Sequence, residues 1–173
     1  MGYLPSRLMA EGSGTGAGRS TAIVLFTDLV GSTELRSRLG EAAAEEVRRK
    51  HDRLVADAVE AKRGRVVKNL GDGVMATFAG ASDAVAAAVA VQRAIHRHNR
   101  SGARLAVRIG ISAGDVTFEE TDCFGTPVIE AARLCAGAEG GQILCSDLVR
   151  GLAGAGSGHE FHPLGVLQLT PPE

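Results

Sequence analysis

Two short stretches place an aspartate where an apolar run gives way to glycine. They are FTDLVGST, Phe26 to Thr33, and KNLGDG, Lys68 to Gly73. Set side by side by a fold, Asp28 and Asp72 make an oxygen-only site for two hard divalent cations, Mg or Mn, and cations so held act on phosphates. The residues around Asp28 (Phe26, Thr27, Leu29, Val30, Gly31, Ser32 and Thr33) are candidates to line that phosphate. A helix opening there leaves backbone N–H groups without intrahelical partners. Each aspartate has a plainer reading as well: Asp28 as a helix cap, and Asp72 as half of an Asp-Gly hairpin turn. The pairing favours the cation site, provided that the hairpin lies beside the first strand.

The elements that must position these residues can be read from periodicity. TAIVLF, 21–26, is an unbroken apolar run, as in a strand buried on both faces. Residues 32–62 are charged and Ala-rich, with Val47, His51, Leu54, Val55 and Ala58 at helical spacing until Gly64 breaks the pattern. RVVKNL and GVMATF flank Gly71–Asp72–Gly73 as a hairpin. A helix over 81–98 follows, with Ser82 expected as its N-cap and Val85, Ala88, Val91 and Ile95 on its buried side. RLAVRIGIS alternates strictly and predicts a half-covered strand, turned at Gly114–Asp115 into VTF. Pro127–Cys135 reads as a helix, GQILCS as a short strand, SDLVRGL as a short helix capped by Ser146, and FHPLGVLQL as an edge strand. This order predicts an α+β domain with helices packed on a mostly antiparallel sheet. Residues 1–19, Gly/Ser-rich and without periodicity, are expected to form a flexible leader to a domain over 20–173.

Composition narrows the class. A chain of 173 residues with 45% hydrophobic residues supports one domain with a core of Val, Ile, Leu and Ala, since it has no Trp and one Tyr. A net charge of −1 gives no overall basic footprint for nucleic acid. Arg93, Arg97, Arg100 and Arg104 read as a solvated helix end, and aromatic stacking partners are missing. No run reaches the roughly 18 apolar residues of a membrane span, and the first residues lack the apolar core of a signal peptide. Cys123, Cys135 and Cys145 have no metal-motif spacing, which suits reduced thiols in a cytoplasmic protein. His51, His96, His98, His159 and His162 show no ligand spacing and are read as structural or surface residues.

Five stretches in order, FTDLVGST, KNLGDGVMATF, RIGISAGDV, DCFGTPVIEAARL and GGQILCS, resemble the class III nucleotidyl cyclase catalytic domain from about Thr21 to about Leu169. The resemblance implies a ferredoxin-like α+β fold and a head-to-tail homodimer with active sites at the interface. It implies that Asp28 and Asp72 bind the metals. Lys68 and Asp122 fall where adenylyl cyclases read the purine, and Arg133 where an arginine steadies charge on the reacting phosphate. That pair suits adenine: a lysine donates to the ring nitrogen and an aspartate accepts from the exocyclic amine, whereas guanine presents the opposite pattern. The implied reaction converts ATP to cyclic AMP and pyrophosphate.

Three departures stand beside the matches. Ile129 occupies the place, four residues before Arg133, where active members carry an orienting asparagine. LQLTPPE lacks the late phosphate-binding lysine, and the stretch between Gly114 and Asp122 is short. Ile129 and the missing lysine favour the alternative of a nucleotide-binding regulatory domain with little chemistry. The intact Asp28, Asp72, Lys68 and Asp122 favour an enzyme.

Overall fold

The structure is a computed structural model that describes residues 18–154 and 157–166. Eleven elements run in the order β1 (Gly18–Leu29), α1 (Ser32–Leu39), α2 (Glu41–Ala61), β2 (Arg65–Asn69), β3 (Gly73–Phe78), α3 (Ala81–His98), β4 (Val107–Glu119), β5 (Asp122–Phe124), α4 (Thr126–Gly137), β6 (Ile143–Cys145) and α5 (Asp147–Ala153). The sheet order is β2-β3-β1-β4-β5, all antiparallel, with β6 joining β4 in parallel. This is the α+β arrangement of helices on a mostly antiparallel sheet that the sequence predicts.

The period of two along β1 sorts its side chains between two layers. Ile23, Leu25 and Leu29 join Val55 and Val59 of α2, Val85, Ala88 and Val91 of α3, and Val107, Ile109 and Ile111 of β4 in the main core. Ala22 and Val24, with Phe26 packed against them, share the opposite face with Met75, Val116, Cys123 and Ala131 of α4. Both faces of β1 are therefore covered, as its unbroken apolar run requires.

Several local expectations are corrected. β1 begins at Gly18, paired with Phe118, so residues 18 and 19 are strand; residues 1–17 lie outside the described residues. The 105–111 alternation does not mark a half-covered strand, because α4 lies against the other face. A Cβ at Gly110 would collide with the Ala131 carbonyl and the Cys135 amide. Gly114 and Asp115 do not end the strand. β4 runs through them, with Gly114 at φ 152°, which a side chain would strain. Ser82 does not cap α3; Gly80 stands at the cap, and the Ser82 hydroxyl donates to the Ala153 carbonyl, 3.1 Å away. Ser146 does cap α5, accepting from the Val149 amide at 3.4 Å. Residues 161–166 form no strand, and 167–169 lie outside the described residues.

Candidate active site

The two aspartates meet because β1 and β3 are neighbours. Asp28 pairs with Gly73 in the antiparallel register, and the Leu29 amide donates to the Asp72 carbonyl at 2.8 Å. Gly73 is required for this approach: a Cβ there would strike the Thr27 carbonyl. The hairpin turn between β2 and β3 thus delivers Asp72 beside the end of β1, the condition on which the cation reading rests.

Each carboxylate is held through one oxygen. Asp28 Oδ2 accepts from Arg108 Nε at 2.7 Å and Nη2 at 2.6 Å, and Arg108 Nη1 reaches the Ala136 carbonyl at 2.8 Å. Asp72 Oδ2 accepts from the Ser32 hydroxyl at 2.9 Å. Among the described residues, Oδ1 of Asp28 and Oδ1 of Asp72 have no hydrogen-bond partner. The donor set fits hard divalent cations: two carboxylates with one oxygen each to give. No cluster of three His, Cys, Asp or Glu side chains stands among the described residues. Substrate phosphates and water would have to complete the coordination, the usual habit of Mg.

Beside Asp72 opens a cavity of about 350 Å³ lined in part by Ser32, Thr33, Arg36, Arg48 and Gly71. The helix-start expectation holds only in part here. The Leu29 and Val30 amides are spent on the Asp72 and Ala106 carbonyls, whereas those of Gly31, Ser32 and Thr33 have no partner among the described residues. Phe26 is half-buried on the α4 face. Thr27 and Leu29 have buried side chains on the opposite face of β1, and Leu29 also lines the cavity beside Asp72.

The second group of expected residues also comes together. Lys68 Nζ and Asp122 Oδ2 form an ion pair at 2.6 Å, with the two side chains 40% and 27% exposed. The Lys68 ammonium, and then the Cys123 amide, holds the Asp122 carboxyl below the usual carboxylate range. β2 and β5 are at opposite ends of the strand order, so this pair closes the sheet's two ends on one another. Arg65 of β2 assists, its guanidinium 5.5 Å from the Phe118 ring centre. Arg133 lies half-buried on α4, and its Nε is buried without a hydrogen-bond partner among the described residues. An orphaned buried donor of this kind calls for an acceptor that the described residues do not supply. No hydrogen bond or ion pair among the described residues joins Asp28 or Asp72 to Lys68, Asp122 or Arg133. Ile129 is 53% exposed, while the neighbouring Glu130 turns inward and accepts from the Ser112 hydroxyl on β4.

Arg108 escaped the sequence reading. It stands first in RIGIS, yet its place opposite Asp28 is visible only once the register of β1 against β4 is known. The thiols raise no chemistry: Cys123, Cys135 and Cys145 are free, and burial pushes Cys135 up to about 12. Among the described residues no helix is long and apolar enough to cross a membrane.

Known proteins resemble this chain in sequence and fold. The chain is 33% identical over 132 residues to a putative adenylate cyclase 3 of Rhizobium meliloti, covering 75% of this chain and 22% of that protein. It is 40% identical over 111 residues to an adenylate cyclase of Streptomyces griseus, covering 64% of this chain and 27% of the relative. It thus spans about a quarter of the length of these curated relatives. Among solved structures, an adenylate/guanylate cyclase/hydrolase from Silicibacter pomeroyi superposes with a TM-score of 0.78 at 31% identity, covering 91% of this chain and 94% of that one. The adenylate and guanylate cyclase catalytic domain signature matches residues 18–169, through both aspartate turns and the α4 arginine, and the chain belongs to that family.

Proposed function

We propose that the chain is an adenylyl cyclase catalytic domain that converts ATP to 3′,5′-cyclic AMP and pyrophosphate at sites shared between two copies in a head-to-tail dimer. The observation that carries this reading is the Lys68–Asp122 pair, a donor and an acceptor held 2.6 Å apart and part exposed. When adenine enters, Lys68 donates to the ring nitrogen and Asp122 accepts from the exocyclic amine. Guanine, with its donor and acceptor reversed at that edge, would leave both unpaired.

Asp28 and Asp72 hold two divalent ions, Mg or Mn. Once bound, these supply charge neutralisation on the triphosphate and acidify the ribose 3′-hydroxyl. Arg108 keeps the Asp28 carboxylate paired and oriented from the β4 side. The amides of Gly31, Ser32 and Thr33 face the phosphates, and the Ser32 hydroxyl holds the Asp72 carboxylate. In the reaction the ribose 3′-hydroxyl gives its proton to water as O3′ bonds to the α-phosphorus, the bond from that phosphorus to the bridging oxygen breaks, and pyrophosphate leaves with that electron pair. Arg133, whose buried Nε lacks an acceptor among the described residues, steadies the charge on the reacting phosphate of the site across the interface. Exposed Phe124, 47% accessible, supplies apolar surface near these residues for a second copy to cover.

The experiment is incubation of the chain with Mn and equal ATP and GTP, with products identified by mass. Cyclic AMP in excess over cyclic GMP supports the reading, and Asp72→Ala should lower its formation at least on the order of a hundredfold without unfolding the domain. Cyclic GMP as the main product would overturn the base assignment, and full activity in Asp72→Ala would overturn the role of the carboxylates.

A further inference from the structure

Behind the aspartates lies a buried polar chain that the catalytic reading leaves unused. His51, on α2, is 0% exposed beside a core built mainly of aliphatic side chains. Both ring nitrogens are engaged: Nδ1 lies 3.0 Å from Asp52 Oδ1 and Nε2 lies 3.4 Å from Thr27 Oγ1. Thr27 Oγ1 in turn accepts from the Val74 amide at 3.2 Å. Asp52 Oδ2 accepts from Arg48 Nη1 at 2.9 Å, and Arg48 lines the cavity beside Asp72.

Donor and acceptor chemistry gives this chain one direction. An ionised Asp52 only accepts, so the ring proton sits on Nδ1 and leaves Nε2 as an acceptor. The Thr27 hydroxyl donates to Nε2, and its oxygen is free to accept from the Val74 amide. Burial, the largest influence, pushes the His51 imidazole below its ordinary value, which matches a neutral ring with one donor and one acceptor. The ends of the chain fall at telling places. Thr27 immediately precedes Asp28 on β1, and Val74 follows Asp72 by two residues at the start of β3. A buried side chain on α2 therefore ties the strand that carries one carboxylate to the strand that carries the other.

We propose that His51, acting through Thr27, is a positioning residue that fixes Asp28 and Asp72 relative to one another for cation binding. The inference rests on the assignment of these aspartates as cation ligands. Without the Thr27 hydroxyl the Val74 amide loses its side-chain acceptor, and the pairing of β1 with β3 beside Gly73 loosens. Without the His51 ring the Thr27 hydroxyl loses its acceptor and its fixed rotamer. Supporting residues one step behind metal ligands commonly change metal affinity by about 10- to 100-fold.

The test measures Mn binding to the full chain by the electron paramagnetic resonance signal of the free ion, in the presence of a non-cyclisable ATP analogue, with thermal midpoints recorded alongside. Thr27→Val, of matching shape, should weaken Mn binding about tenfold, while Thr27→Ser, which keeps the hydroxyl, should stay within about twofold of the parent. His51→Leu should weaken binding to a similar degree. The double variant Thr27→Val/His51→Leu should be little worse than either alone, because the two act in series. If Thr27→Val melts earlier but binds Mn like the parent, the chain is only structural and the inference is overturned. Parent protein that binds no Mn at all would overturn the cation assignment and this inference together. Should His51→Leu fail to fold, the Thr27 pair still decides between these outcomes.

Discussion

At the scale of single residues, the site is defined as much by what it lacks as by what it holds. On the proposed reading Ile129 stands half-exposed where a hydrogen-bonding side chain would orient ribose, and one carboxylate oxygen of the neighbouring Glu130 is engaged by Ser112. The exposed position makes the exchange simple: Ile129→Asn removes little packing and adds one donor and acceptor. It should raise kcat by roughly three- to thirtyfold, the value of one hydrogen bond of about 1–2 kcal/mol felt in the transition state. Steady-state kinetics with ATP and Mn checks this, and an unchanged or lower kcat means that the substrate is oriented by another route. On the proposed reading base choice also belongs to two residues, Lys68 and Asp122. Lys68→Glu with Asp122→Cys reverses the donor and acceptor pattern and should lower ATP turnover strongly, with a partial gain in GTP use. Unaltered ATP kinetics in that double variant would separate the ion pair from purine reading.

At the scale of elements, position comes from strand pairing and from the few side chains that lock it. The sequence made both aspartate turns, the hairpin and the helices over 81–98 and 127–135 legible, because each has a local signature in periodicity, glycine or proline. It could not show that Arg108 faces Asp28 or that Thr27 turns away to His51, since both depend on register between distant strands. It also misjudged β4: alternation suggested one open face, but Gly110 is small so that α4 can press on that face. The buried His51 has a consequence in solution. Its folded value lies below the ordinary 6.5, so the unfolded chain binds the proton more readily. The stabilisation is complete above about pH 6.5 and is lost as pH falls through the depressed folded value. The charges of Asp52 first, then Asp28 and Asp72, oppose this shift without reversing it. Thermal midpoints taken downward from pH 7.5 should fall below about pH 6.5 and should fall less in a folded His51→Gln variant. Equal slopes in the two proteins would assign the acid sensitivity to other groups.

At the scale of the whole molecule, one chain carries two groups of reactive residues that do not touch. Asp28 and Asp72 sit at the β1–β3 junction with Arg108 and Ser32. The Lys68–Asp122 pair is where β2 and β5 close on each other, and Arg133 projects from α4 with a buried donor unpaired among the described residues. A head-to-tail dimer would complete each site twice over, one copy giving Asp28 and Asp72 and the other giving Lys68, Asp122 and Arg133. The most direct measurement is therefore complementation. Asp72→Ala and Arg133→Ala proteins are each assayed for cyclic AMP formation, then mixed in equal amounts, allowed to exchange subunits, and assayed again. Each variant alone should be nearly silent at both of its sites. After free exchange, half the dimers are mixed, both lesions fall in one of their two sites, and the other site is intact, so about a quarter of the parent activity should return. Continued silence of the mixture, with exchange confirmed by pull-down of differently tagged copies, would contradict the shared site and confine these residues to a single chain.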